Sequence, residues 1–181
     1  TAIAQEAGNS DREKWDELNQ KVLSALHAGR YAEGLPWGKH AYQFALDHFG
    51  EKDPDTLSSL NNLAALYYSQ GRYGEAEPLL TNALSLFESV LGPEHPNTLA
   101  SLNNLAELYR SQGRYGKAEP LYHKALSLKE SVLGSEHPDT LTSLNNLAAL
   151  YRSQGRYEEA EPLFEKALSL SESVLGPEHP D

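Results

Sequence analysis

The tripeptide Gly-Arg-Tyr begins at Gly29, Gly71, Gly113 and Gly155, a spacing of 42 residues each time. Residues 95–134 and 137–176 agree at 32 of 40 positions; residues 53–92 are close to both, and residues 12–50 form a diverged fourth copy. A tandem array of this period restricts the fold more than any local signal does. Each copy is too short to bury its own apolar face and must stack on its neighbours into one continuous core, the logic of an α-solenoid.

Each copy reads as two helices. The first, Leu99 to Gln112, sets Leu102, Leu105, Ala106 and Tyr109 at i, i+3, i+4 and i+7, one apolar stripe of helical period. Asp55, Asn97 and Asp139, each following a proline, are the expected N-caps. Gly113 is the expected stop, because glycine accepts the left-handed backbone of a helix end. The second helix, Tyr115 to Leu133, carries Ala118, Leu121, Tyr122, Ala125, Leu126 and Leu128. Pro36, Pro78, Pro120 and Pro162 fall about one turn inside the second helices, where an irregular first turn or slight kink is expected rather than a break.

Composition excludes several classes. With no cysteine there is no disulfide, thiolate metal site or cysteine nucleophile, and the redox compartment stays open. No apolar run reaches the roughly 20 residues of a membrane span. A formal net charge of -11 argues against a nucleic-acid partner. The absence of methionine, even at position 1, suggests a piece of something longer. Ala2-Ile3-Ala4 fits the end of a secretory signal, although a leader or linker over residues 1–11 is the favoured reading. A cytoplasmic location is favoured, with a secreted or periplasmic one left open.

The order and spacing of the helices resemble the tetratricopeptide repeat. Leu63, Ala64 and Tyr67 match its first-helix pattern and recur as Leu105, Ala106, Tyr109 and as Leu147, Ala148, Tyr151. Ala76/Leu80, Ala118/Tyr122 and Ala160/Phe164 match its second helix, while leucine stands where the family usually has tryptophan. The period of 42 resembles the long repeats of kinesin light chains and their bacterial relatives. The resemblance implies an all-α, right-handed α-solenoid of about four helix pairs. The corresponding division is a leader at 1–11, a diverged repeat at 12–52, repeats at 53–94, 95–136 and 137–178, and the start of a further one at 179–181. Lys21, Ala25, Gly34 and Gly38 make the first copy atypical, as expected of a terminal cap. The C-terminal pair has no such cap and is expected to offer an apolar flank for homo-oligomer formation.

Chemical motifs are weak. His95, His137 and His179 each follow a glutamate, but equivalent turns of packed helices lie too far apart to share one metal ion. A turn-packing or hydrogen-bonding role is expected instead. The Gly-Arg-Tyr-Gly stretches at Gly71–Gly74 and Gly113–Gly116 open onto helices but lack the Lys-Ser/Thr of a phosphate loop. The serines have no His/Asp partners beside them. No enzyme, metal or cofactor is expected.

What remains is the pair Asn61/Asn62, repeated as Asn103/Asn104 and Asn145/Asn146. Asparagine is a poor helix former, so each pair asks for a reason. On a helical wheel with Leu102 at zero, Asn103 falls near ~100° and Asn104 near ~200°, off the core stripe. In tetratricopeptide folds that strip lines the concave face, and the resemblance implies a peptide-binding groove there. A carboxamide both donates and accepts, so it can grip an extended backbone of any sequence, with Asn62, Asn104 and Asn146 the favoured contacts. Preference among ligands then falls to Tyr68, to Glu107 and Arg110, and to Arg152, which suggests acidic segments near Arg152. The competing expectation is that one asparagine of each pair bonds across to the next helix and sets the stacking register. The leading function is thus a module binding a protein or peptide, and the alternative a scaffold assembled end to end.

Overall fold

In the computed structural model, the structure describes residues 2–175, with side chains described for residues 8–172. The C-terminal fragment at 179–181, His179 and Thr1 lie outside the described residues. Eight helices account for the described elements: α1 Ala2–His27, α2 Tyr31–Phe49, α3 Pro54–Ser69, α4 Tyr73–Leu91, α5 Pro96–Ser111, α6 Tyr115–Leu133, α7 Pro138–Ser153 and α8 Tyr157–Leu175. The class is all-α, built of helix pairs of the α-solenoid kind. α1 continues to Ala2, through residues expected to form a leader. No described helix is long and apolar enough to cross a membrane.

The chain divides into two compact units, Thr1–Val90 and Leu91–Asp181. In the first, α2 packs between α1 and α3. Trp15, Leu18 and Val22 of α1 meet Ala41, Phe44 and Ala45 of α2 and Leu66 of α3 in one apolar cluster. The Trp15 indole donates to the Ser59 hydroxyl at 2.7 Å, so its polar edge is satisfied inside the core. In the second unit α6 packs between α5 and α7, and α7 packs on α8. The stripe read from the sequence is buried, with Leu102 and Ala106 of α5 fully covered and Leu105 and Tyr109 nearly so, and Leu108, outside that stripe, is covered as well.

The helix starts correct one expectation. The caps are Asp53, His95 and His137, two residues before Asp55, Asn97 and Asp139. Pro54, Pro96 and Pro138 occupy the first helical position, where a missing N–H costs nothing, so the cap must precede them. The His95 and His137 Nδ1 atoms accept from the backbone N–H of Asn97 and Asp139 at 3.2 and 3.1 Å. This is the hydrogen-bonding role expected for the turn histidines.

The Gly-Arg-Tyr motif closes each helix pair. In α5 the Gly113 N–H bonds to Arg110 O and the Arg114 N–H to Tyr109 O, at 2.9 and 2.8 Å, a Schellman end with Gly113 at φ +70°. The same two bonds recur at Gly29, Gly71 and Gly155. The arginine after each glycine then lies over the tyrosine of the preceding helix: Arg72 over Tyr67, Arg114 over Tyr109 and Arg156 over Tyr151, at 4.6, 4.6 and 4.0 Å. Arg72 and Arg156 also pair with Glu75 and Glu159 on the following helix. The second helices run unbroken through Pro36, Pro78, Pro120 and Pro162.

Gly34 and Gly38 stand where the other copies carry alanine and a large side chain. A Cβ at Gly34 would lie 2.7 Å from Ala25 Cβ and 2.8 Å from Leu66 Cδ2, and one at Gly38 would lie 2.7 Å from Leu66 Cδ1. α2 therefore approaches its neighbours by its bare backbone, and Leu66 fills the space. Gly34→Ala should destabilise the protein by about 1–3 kcal/mol through overpacking. Gly116→Ala, at a helical glycine with open space around it, should stabilise it by about 0.4–1 kcal/mol. Urea unfolding of the two variants checks both signs. In the same assay His137→Asp should match or exceed wild type, because aspartate is the stronger cap.

Candidate functional site

The asparagine pairs do not share one environment. In the first unit the Asn62 Nδ2 donates to Asn19 Oδ1 of α1 at 2.9 Å, a bond between neighbouring first helices. Asn61 is half-buried beside it. Tyr68 is half-buried, its ring 5.5 Å from that of Tyr73.

In the second unit the geometry is different. Asn103 and Asn104 of α5 and Asn146 of α7 line one cleft of about 530 Å³. Pro96, Leu99 and Ala100 of α5 and Thr142 of α7 form its walls, and Lys129, Val132 and Leu133 at the end of α6 close it. Val132 and Leu133 are exposed, so the cleft has an apolar lip beside its amide wall. Asn104 is exposed and Asn146 half-buried. The Asn103 Oδ1 is buried without a hydrogen-bond partner. Asn145 lines a separate, smaller cleft of about 180 Å³ with Leu141, Ala167 and Ser171.

Glu107 and Arg110 are engaged with the core. Tyr122 is fully buried, and its hydroxyl donates to Glu107 Oε2 at 2.7 Å. Arg110 Nε and Nη2 hold the two oxygens of the same carboxylate at 2.9 and 2.6 Å. Burial first, and the hydrogen bond to Glu107 second, push the Tyr122 pKa up; the Glu107 hydrogen bond raises that of Arg110. The sister positions explain the arrangement. Where the second helix carries Leu80 or Phe164, the first carries Ala65 or Ala149. Only the copy with a tyrosine hydroxyl in its core supplies a carboxylate to receive it. Arg152, which lacks such a carboxylate on its own helix, is exposed with its guanidinium 5.8 Å from the Phe164 ring.

One cleft residue escaped the sequence reading. Lys129 is 8% exposed, and its ammonium donates to the backbone carbonyl of Asp139 at 3.2 Å. Burial holds its pKa below the ordinary lysine value, with the Asp139 carboxylate opposing that shift. The signal was present: SLFESV, SLKESV and SLSESV are equivalent stretches of three second helices, and a lysine there replaces a core phenylalanine. Among the described residues, no group of three or more His, Cys, Asp or Glu is placed to hold a metal ion.

A family model described as tetratricopeptide repeat matches residues 18–81, 55–131 and 103–173. Among solved structures, the chain is similar to nearly identical TPR-like repeats from a Podosopora anserina protein assigned to the kinesin light chains. Identity is 27% and the TM-score 0.81, over 92% of this chain and 79% of that one. BtubC (BKLC) from P. vanneervenii follows at 22% identity and TM-score 0.73, covering 84% of this chain and 61% of its own. Aspartyl phosphate phosphatase F from Bacillus subtilis shares the fold at 17% identity and TM-score 0.75, over 91% of this chain and 42% of its own. No curated protein matches the sequence.

The Tyr122–Glu107 pair makes a prediction. Glu107→Ala alone orphans a buried hydroxyl and should cost about 1–3 kcal/mol. Adding Tyr122→Phe recreates the Ala149/Phe164 combination and should recover most of that loss. A double-mutant cycle in urea measures the recovery.

Proposed function

The chain belongs to the tetratricopeptide-repeat family, and on that premise we propose that its first helices present a groove that holds an extended segment of a partner protein. The repeats of this family are in general non-enzymatic protein-interaction modules, and this chain is one at that level. The finer reading is a mode of binding in which asparagine carboxamides hold the partner's backbone. The observation that carries it is the convergence of Asn103, Asn104 and Asn146 on one cleft with an apolar lip. A carboxamide wall suits peptide backbone, which offers alternating N–H and C=O groups, and Val132 and Leu133 suit an apolar side chain next to it. Glu107 and Arg110 are turned toward each other and toward Tyr122, so specificity for acidic segments is assigned to groups other than that pair. Asn62, bonded to Asn19, serves the register of the first unit.

A second reading is assembly through α8. Leu168 is 60% exposed, whereas its sister Leu126 is 9% exposed beneath α7, and Tyr157 is 66% exposed. A helix of another copy seated on this face would bury them. Light scattering over a concentration series decides it: a mass that rises with concentration and falls back in Leu168→Glu supports assembly, and a constant monomer mass excludes it.

For the groove, Asn104→Ala/Asn146→Ala should weaken peptides selected on an array of extended sequences by about tenfold or more, the loss of one or two hydrogen bonds to the ligand. Circular dichroism should show unchanged helicity, since both substitutions favour helix. Undiminished binding by the double variant would sink the proposal. Asn62→Ala should instead lower the unfolding midpoint.

A further inference from the structure

One position in the second helices changes character between copies. It is Phe87 in α4, Lys129 in α6 and Ser171 in α8. Phe87 is 1% exposed and Lys129 8%, so an ammonium occupies a place that the sister copy gives to an aromatic ring. An ammonium carries three donors, and the structure satisfies one of them, at the Asp139 carbonyl. A cation removed from water and incompletely bonded is unfavourable, which is why burial depresses its pKa. A neutral side chain of similar length would fill the same space without that penalty.

The cleft around it is arranged to receive an acceptor. Lys129 shares the lining with Asn103, Asn104, Asn146 and His137. The His137 Nδ1 accepts the capping N–H of α7, so the proton of the neutral ring sits on Nε2 and is available as a donor. The Asn103 Oδ1 has no partner, so that carboxamide can turn over without losing an oxygen bond. Glu94 and Asp139 also line the cleft, but both are exposed, where water and salt screen them. The buried cation is screened least and dominates the interior.

We propose that Lys129 is the anchor for one carboxylate of the segment bound in this cleft, a group carried either by an aspartate or glutamate side chain or by the chain terminus. The proposal rests on the groove reading above and adds the residue that sets its charge preference. It assigns that role to a second-helix lysine rather than to Arg152.

The probes are array-selected peptides made as twins, with glutamate against glutamine and a free C-terminus against an amide, and measured by fluorescence anisotropy. Wild type should prefer one member of the carboxylate pairs by about tenfold, the value of one charge-assisted hydrogen bond. Whichever pair shows the difference identifies the source of the carboxylate. Lys129→Met should abolish the preference, Lys129→Arg should retain part of it, and Arg152→Ala should leave it intact. If Lys129→Met fails to fold, Lys129→Phe, which carries the residue of the sister copy, takes its place. Twins that bind wild type equally, or a preference that survives loss of the lysine charge, overturn the anchor and leave the groove standing. Failure of every peptide to bind wild type overturns the groove and the anchor together.

Discussion

Everything in this protein depends on a first helix that must be covered on both sides. The Leu-Ala-Tyr stripe of α7 lies on a helix packed against both α6 and α8, and Leu147, Ala148 and Tyr151 are all buried. That requirement dictates the pairing of helices and the tight turns between them. It also restricts which positions can vary. A polar group placed inside the shared layer needs a neighbour that satisfies it. The Tyr122 hydroxyl with its Glu107 acceptor is one such joint change, whereas Gly34 and Gly38 adjust to a leucine, Leu66, that the sister copies keep as Leu108 and Leu150.

The polar surface of the first helices follows from the same geometry. Residues off the stripe face either a neighbouring first helix or the space between helices. Asn62 meets Asn19 of the neighbouring first helix and donates to it. Asn103, Asn104 and Asn146 meet a cleft instead. One repeated dipeptide thus meets two surroundings, decided by what stands opposite it.

The helices, their stripe and their glycine stops could be read directly from period and spacing, because a 42-residue repeat presents the same local signals several times over. The second helix Tyr115–Leu133 was legible to the residue. The N-caps were misplaced by two positions. Aspartate and asparagine outrank histidine as caps, and only the geometry reveals that the proline must occupy the first turn. Glu107 and Arg110 were legible as a mutual pair, but not as servants of Tyr122, fifteen residues away on another helix. Lys129 was hidden by the helical pattern itself. Lysine is a good helix former and ordinarily reads as surface, and its burial emerges only when the copies are set in register.

The Gly-Arg turn has a consequence for how such a chain changes over time. Both of its backbone bonds and its cation–ring contact are made by residues within six positions of one another. The hairpin therefore carries its own closure with it wherever the coding segment is copied. A duplicated copy brings its own turn closure and still folds only by stacking on its neighbours. Even a buried position near the end of the second helix differs, where three copies carry an aromatic ring, an amine and a hydroxyl.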